Sequence, residues 1–222
     1  MVVSCMLSVV AAYLVGSIPF GYLAGLSRGI DIRTVGSGNI GATNVFRTLG
    51  GKLGVATFVL DMAKGLVSVA VIPKLAWMAT GAGGAAPVAA VMAAAVAVLF
   101  GHSFPLFLGF KGGKGVATGA GIVIGVAPCS ALLGLALWVA VFLATRYVSV
   151  ASITAAAAVG AGVWLLDDTR EPRHLMPAVI SLLAILVIVK HKSNIKRLVN
   201  GTENRFNFSR RKPPADGDAS TK

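Results

Sequence analysis

Three polar stretches, two of them rich in glycine, hold most of the residues that could do chemistry. The first is Gly36-Ser-Gly-Asn-Ile-Gly-Ala-Thr-Asn44, followed by Arg47. Its glycines, Gly38 and Gly41 among them, let backbone N–H groups approach an anion closely, and Ser37, Asn39, Thr43 and Asn44 add neutral donors. A helix starting near Thr43 would place Arg47 on the same face, which makes a phosphate-binding design of helix N-terminus, donors and one guanidinium. The second is Phe110-Lys-Gly-Gly-Lys-Gly-Val-Ala-Thr118. Gly112, Gly113 and Lys114 suit a second phosphate at a helix start. The spacing before Lys114 is wrong for a Walker loop, and Gly115 stands where a magnesium-holding Ser or Thr belongs, so nucleotide hydrolysis is rejected. The third is His191-Lys-Ser-Asn194, with Lys196 and Arg197 beyond it. His191 and Asn194 are three residues apart and share a helical face.

Other polar groups are sparser. Arg146, Ser149 and Ser152 form a polar turn ahead of an apolar run, and both serines could donate to an anion. Asp61 and Lys64 are three apart inside an apolar segment, where charges usually pair or face a polar cavity. A structural ion pair is the expectation, with Lys64 as a further contributor to the site. His102 is read as capping or hydrogen-bonding the end of its apolar run, and His174 is expected outside, far from the other polar groups. The three histidines lack carboxylate neighbours in sequence, so no metal site is expected. Neither a Gly-x-Ser-x-Gly elbow nor a His-x4-Asp acyltransferase pattern is present. Donors and cations without a nucleophile fit a substrate that is already activated and carries phosphate. Such a reaction needs positioning and charge neutralisation more than a strong general acid.

The elements that must position these residues follow from composition. Of the 222 residues 56% are apolar and 13% charged, against roughly 25% charged in soluble domains. A soluble globule, a disordered chain and a coiled coil are all excluded, which leaves an all-α polytopic membrane protein. Cys5 and Cys129 sit in apolar runs and read as small buried residues. Nine of the twenty Lys and Arg lie from Lys190 onward. The net charge of +12 therefore reads as topology and attraction to membrane lipids, not as nucleic-acid binding.

Apolar segments run from Val2 to Gly25, Leu53 to Ile72, Ala85 to Leu108, Val116 to Leu143, Val148 to Leu166 and Leu175 to Val189. Six crossings would put the basic tail and the basic Leu26–Lys52 break on opposite sides. The fourth segment, a helix of about 42 Å against a hydrocarbon core of about 30 Å, can break near Pro128. Seven membrane helices then follow, with the N-terminus outside and the C-terminus cytoplasmic. Sixteen Lys and Arg fall inside against three outside, and all three donor-rich stretches face the cytoplasm. Residues 1–205 form one membrane-embedded domain, and 206–222 a flexible, lipid-attracted tail.

The stretches at 37–44, 112–118 and 191–198 resemble the three signature motifs of the PlsY family, the bacterial acyl-phosphate:glycerol-3-phosphate acyltransferases. The likeness extends to Gly16–Tyr22, Leu60–Gly65, Phe100–Pro105 and Thr145–Ser149, in the same order. It implies transfer of an acyl chain from acyl phosphate to the 1-hydroxyl of glycerol 3-phosphate in the inner membrane, without a cofactor. By the same resemblance Ser37, Arg47, Lys114, His191 and Asn194 match active-site positions, with one serine of the Arg146–Ser152 turn. The family's spacing favours Ser152 over Ser149. Arg47 and Lys114 would hold the two substrate phosphates. His191 and Asn194 would orient a phosphate, with the hydroxyl proton going either to His191 or to a substrate phosphate oxygen. A transporter of a phosphorylated metabolite is the alternative from another class, disfavoured because the polar groups gather at one face and not at the midplane.

Overall fold

The structure is a computed structural model that describes residues 1–167 and 172–207. The stretches 168–171 and 208–222 lie outside the described residues, and with the latter goes most of the tail read as flexible. Among the described residues there are eleven α-helices, one 3-10 turn (Leu106–Leu108) and no strand. In chain order the helices are α1 (Val2–Ser17), α2 (Phe20–Leu26), α3 (Ala42–Leu49), α4 (Gly51–Ala70), α5 (Ile72–Ala79) and α6 (Val88–Ser103). They continue as α7 (Val116–Val126), α8 (Pro128–Thr145), α9 (Val148–Leu166), α10 (Leu175–Val189) and α11 (Lys192–Val199).

Five segments are long and apolar enough to cross a bilayer: Val2–Leu26, Gly51–Ala79, Val88–Leu108, α8 and α9. The pair α10 and α11, bent by 50°, makes a sixth candidate. The distribution of polarity settles the environment. Ser4, Ser8, Ser17, Thr57 and Ser68 are buried, whereas Leu132, Leu143, Leu165 and Leu182 are more than 60% exposed. A soluble protein does the reverse, so this is a multi-pass membrane protein.

The expected break at Pro128 is present. α7 ends at Val126, Ala127 leaves helical geometry (φ −144°, ψ 67°), and Pro128 opens α8. At that first position proline has no helical N–H bond to lose. α7 then packs along α4, and α8 along α9. A further break at Ile18–Pro19 divides the first apolar segment, which the pattern reads as continuous, while the break at Val71 falls at the end of the second and is followed by α5.

Small residues set the helix spacing, as expected where lipid removes the hydrophobic drive between helices. A Cβ on Gly16 or Gly101 would overlap backbone of the facing helix at the α1–α6 contact, and one on Gly65 or Gly121 would do so between α4 and α7. α6 is the central helix: Ala94, Ala95, Val98 and Leu99 are buried. Cys129 differs from its reading as buried. It is exposed at the start of α8, because that helix turns only its other side, with Ser130 and Gly134, toward the protein.

Candidate active site

The polar loops meet at one end of the bundle. In the first of them, Asn44 is buried and its amide is fully engaged. Its Oδ1 accepts the Ser37 N–H at 2.9 Å, while Nδ2 donates to the carbonyls of Ile32 (3.2 Å) and Val35 (3.1 Å). Asn44 therefore holds the loop shut from within, and its side chain is not free for a ligand. Asn39 Oδ1 accepts the Gly41 N–H at 2.8 Å, a local turn that presents this segment at the start of α3. The Ser37 side is exposed. Arg47 reaches out of α3 to donate to the Asn204 carbonyl at 3.1 Å.

The second loop rests on the end of α6. The Gly113 N–H donates to the His102 carbonyl (3.1 Å) and the Gly112 N–H to that of Ser103 (3.3 Å), so two terminal carbonyls of α6 find partners. Gly115, in the left-handed region at φ +83°, then turns the chain into α7. Lys114 stands between the fixed glycines and the helix start.

The third part joins α9, α11 and the segment that follows it. Glu203 carries a carboxylate whose side chain is only 5% exposed. It accepts hydrogen bonds from Ser149 Oγ (2.8 Å), Asn194 Nδ2 (2.7 Å) and Arg197 Nε (2.8 Å). Ser149 is thus the serine of its turn that enters this cluster. The Ser152 hydroxyl, favoured by the family's spacing, accepts the Trp138 indole N–H at 3.1 Å, one turn deeper between α8 and α9. Beyond Glu203 the chain lies across the site: Phe206 packs against Phe46 and Phe142, and its N–H donates to the Arg146 carbonyl at 2.7 Å.

Electrostatics fit an anion site. Burial pushes the Lys114 ammonium down to about 8; Glu203 opposes that shift, and Arg197 and Arg47 add to it. His191 Nδ1 lies 2.7 Å from the Val187 carbonyl, which makes it the protonated nitrogen and leaves Nε2 as an acceptor. Burial holds this imidazole down at about 4, so it is neutral at physiological pH. For Glu203 burial pulls upward, but the bonds from Asn194, Ser149 and Arg197 outweigh it and the carboxyl stays below its ordinary range. A cleft of about 410 Å³ opens beside the cluster. Asn39, Lys114, Lys190 and Lys192 line its polar side and Phe104, Leu186 and Val189 its apolar side.

Of the residues singled out in the sequence, the structure gathers Arg47, Lys114, Ser149, His191 and Asn194, with Gly112, Gly113 and Asn39 beside them. It does not bring Lys64 there. The interior ion pair expected for Lys64 forms with Asp61 at 2.7 Å, and Nζ also donates to the Ile18 carbonyl. His102 stands in the last turn of α6, as expected. It is buried within 3.6 Å of Asp61. Glu203 escaped the motif reading altogether, although a lone acid following Arg197 in a basic segment is a signal of charge pairing.

Fold and cluster together define an integral membrane protein built to hold anions at one end of its helices. The family model described as glycerol-3-phosphate acyltransferase matches residues 6–201. This chain belongs to that family. A glycerol-3-phosphate acyltransferase from Geobacter sulfurreducens is 50% identical over 195 residues, covering 88% of this chain and 94% of the relative. Crystal structures of PlsY, an integral membrane glycerol 3-phosphate acyltransferase, are similar in fold. Its glycerol 3-phosphate form gives a TM-score of 0.80 at 39% identity, covering 92% of this chain and 96% of that one. Its lysophosphatidic acid form gives 0.78 at 38% identity over the same shares.

Proposed function

We propose that this protein transfers an acyl group from acyl phosphate to the 1-hydroxyl of glycerol 3-phosphate, at the cytoplasmic face of a bacterial inner membrane. The hydroxyl oxygen forms the new ester, the acyl–phosphate bond breaks, and the proton leaves with inorganic phosphate; lysophosphatidic acid is the lipid product. The observation that carries this reading is the cleft with lysines on one side and Phe104, Leu186 and Val189 on the other. That lining suits a molecule with a phosphate head and a hydrocarbon tail. Seven membrane helices with an external N-terminus accompany the reading, since that count puts all four polar segments of the site on the basic, cytoplasmic side.

Lys114 and Arg47 would neutralise the two phosphates, and Ser37 and the N–H groups of the glycine loops would supply neutral donors. Glu203 would hold Ser149 and Asn194 in place. His191, neutral and with Nε2 accepting, would orient a hydroxyl or a protonated phosphate oxygen. Because its second ring proton is already lost above about pH 4, activity should show no histidine step between pH 5.5 and 7.5. On the alkaline side kcat/KM for glycerol 3-phosphate should fall as pH rises through about 8, the value to which Lys114 is lowered, since the free enzyme loses a cation there. Lys114→Arg should move that limb upward. A limb left in place in the arginine variant would refute the assignment.

The direct test mixes purified protein with acyl phosphate and glycerol 3-phosphate and follows phosphate release and lysophosphatidic acid, with acyl-CoA as control donor. Release with acyl phosphate alone is expected. Uptake into vesicles without phosphate release would establish a transporter instead.

A further inference from the structure

Below the glycine loop lies a buried polar group that takes no part in the cluster around Glu203. Asp61 and Lys64, one turn apart on α4, are 3% and 4% exposed and paired at 2.7 Å. Lys64 Nζ also donates to the carbonyl of Ile18, where α1 ends (2.9 Å). His102, in the last turn of α6, is 4% exposed and sets Nδ1 at 3.6 Å from Asp61 Oδ1. The other edge of the ring faces the loop: a Cβ on Gly113 would overlap His102 Nε2, and one on Gly112 would overlap the His102 carbonyl. The loop is tied to His102 and Ser103 through its N–H groups, and Lys190 Nζ donates to the Ser103 carbonyl at 3.1 Å.

Charges inside a membrane protein are costly and are retained where they have a use. Packing alone does not need this pair, since apolar residues of similar volume commonly replace a buried ion pair without loss. Its position supplies the use. Two consecutive glycines have wide conformational freedom, and the residue that follows them is Lys114. A buried ring set over the Asp61 carboxylate at 3.6 Å, too far for a hydrogen bond, and leaving no room for a side chain at Gly113 limits that freedom at the point where it would shift the ammonium.

We propose that His102, braced by the Asp61–Lys64 pair, is the positioning residue for Lys114, holding the glycine loop at the height that a substrate phosphate requires. This rests on the reading that Lys114 binds a substrate phosphate. His102→Gln should raise KM for glycerol 3-phosphate on the order of tenfold, the scale of a sub-ångström to one-ångström displacement of a binding group, with kcat changed less. Asp61→Asn combined with Lys64→Met removes both charges without orphaning either, leaves His102 in place, and should raise KM by about threefold on the same reasoning. Melting temperatures are measured alongside. If KM stays at the wild-type value in the variants that fold while only the melting temperature falls, the network merely stabilises the bundle and the proposal is overturned. Lys114→Ala serves as the reference. Should it leave KM unchanged, the role of Lys114 itself fails; should it raise KM while His102→Gln does not, only the positioning role of His102 fails.

Discussion

Lys114→Ala should lower kcat/KM for glycerol 3-phosphate by about 10²–10³-fold, the usual cost of removing one preorganised charge-stabilising group from a shielded site. The ammonium is half-buried, follows two glycines pinned to the end of α6, and shares its surroundings with Arg47 and Arg197. Methyl in its place leaves the phosphate with fewer cations and leaves a gap that water fills. Lys111→Ala is the control. That side chain is exposed three residues earlier in the same loop, and surface changes of this kind usually alter stability by less than about 0.5 kcal/mol. Steady-state kinetics on the two purified variants check the contrast. Equal effects would mean that general positive charge matters, and not the placement of Lys114.

The second large effect belongs to Glu203→Gln. The carboxylate accepts three hydrogen bonds, from Ser149, Asn194 and Arg197. Glutamine offers one carbonyl oxygen and an NH2 group that would face donors. Hydrogen bonds to a charged group contribute about 1.5–3 kcal/mol each, so loss of even one leaves Ser149 or Asn194 free to turn away. A fall in kcat of at least about tenfold and a lower melting temperature are expected, with Glu203→Asp intermediate. Full activity with unchanged melting would show that the three donors are placed by their helices alone. The folded-state carboxyl lies below its ordinary 4.5, so this contribution is present above that pH and is lost as pH falls through the lowered value.

The sequence made the outline of this molecule readable because its strongest signals are local. Apolar runs between Gly, Pro and charged breaks mark the helices, Pro128 in an overlong run marks the α7–α8 break, and Asp61 with Lys64 one turn on marks an interior pair. Arg47, Lys114, His191 and Asn194 stood out because each sits in a dense polar motif. What could not be read depends on which faces meet. Ser149 and Ser152 share one side of α9, and only the Trp138 indole from α8 and the Glu203 carboxylate separate their roles. Asn44 looks like a ligand donor until the loop closes on it and uses its amide. His102 is placed at the end of its helix by the sequence, but only α4 brings Asp61 beside it. Glu203 pairs back to Ser149 across 54 positions, a separation that no motif spans.

The strap from Glu203 to Phe206 also sets the order in which the polar cluster can be assembled. Arg47 leaves the ribosome early in synthesis, yet its carbonyl partner Asn204 and the carboxylate that gathers Ser149, Asn194 and Arg197 are among the last described residues to emerge. A nascent chain with every long apolar helix already inserted still lacks the piece that locks its first and last polar segments together. Full activity is therefore expected only after residues 203–206 have been made, and a chain cut before Glu203 should show the same deficit as Glu203→Gln or a larger one.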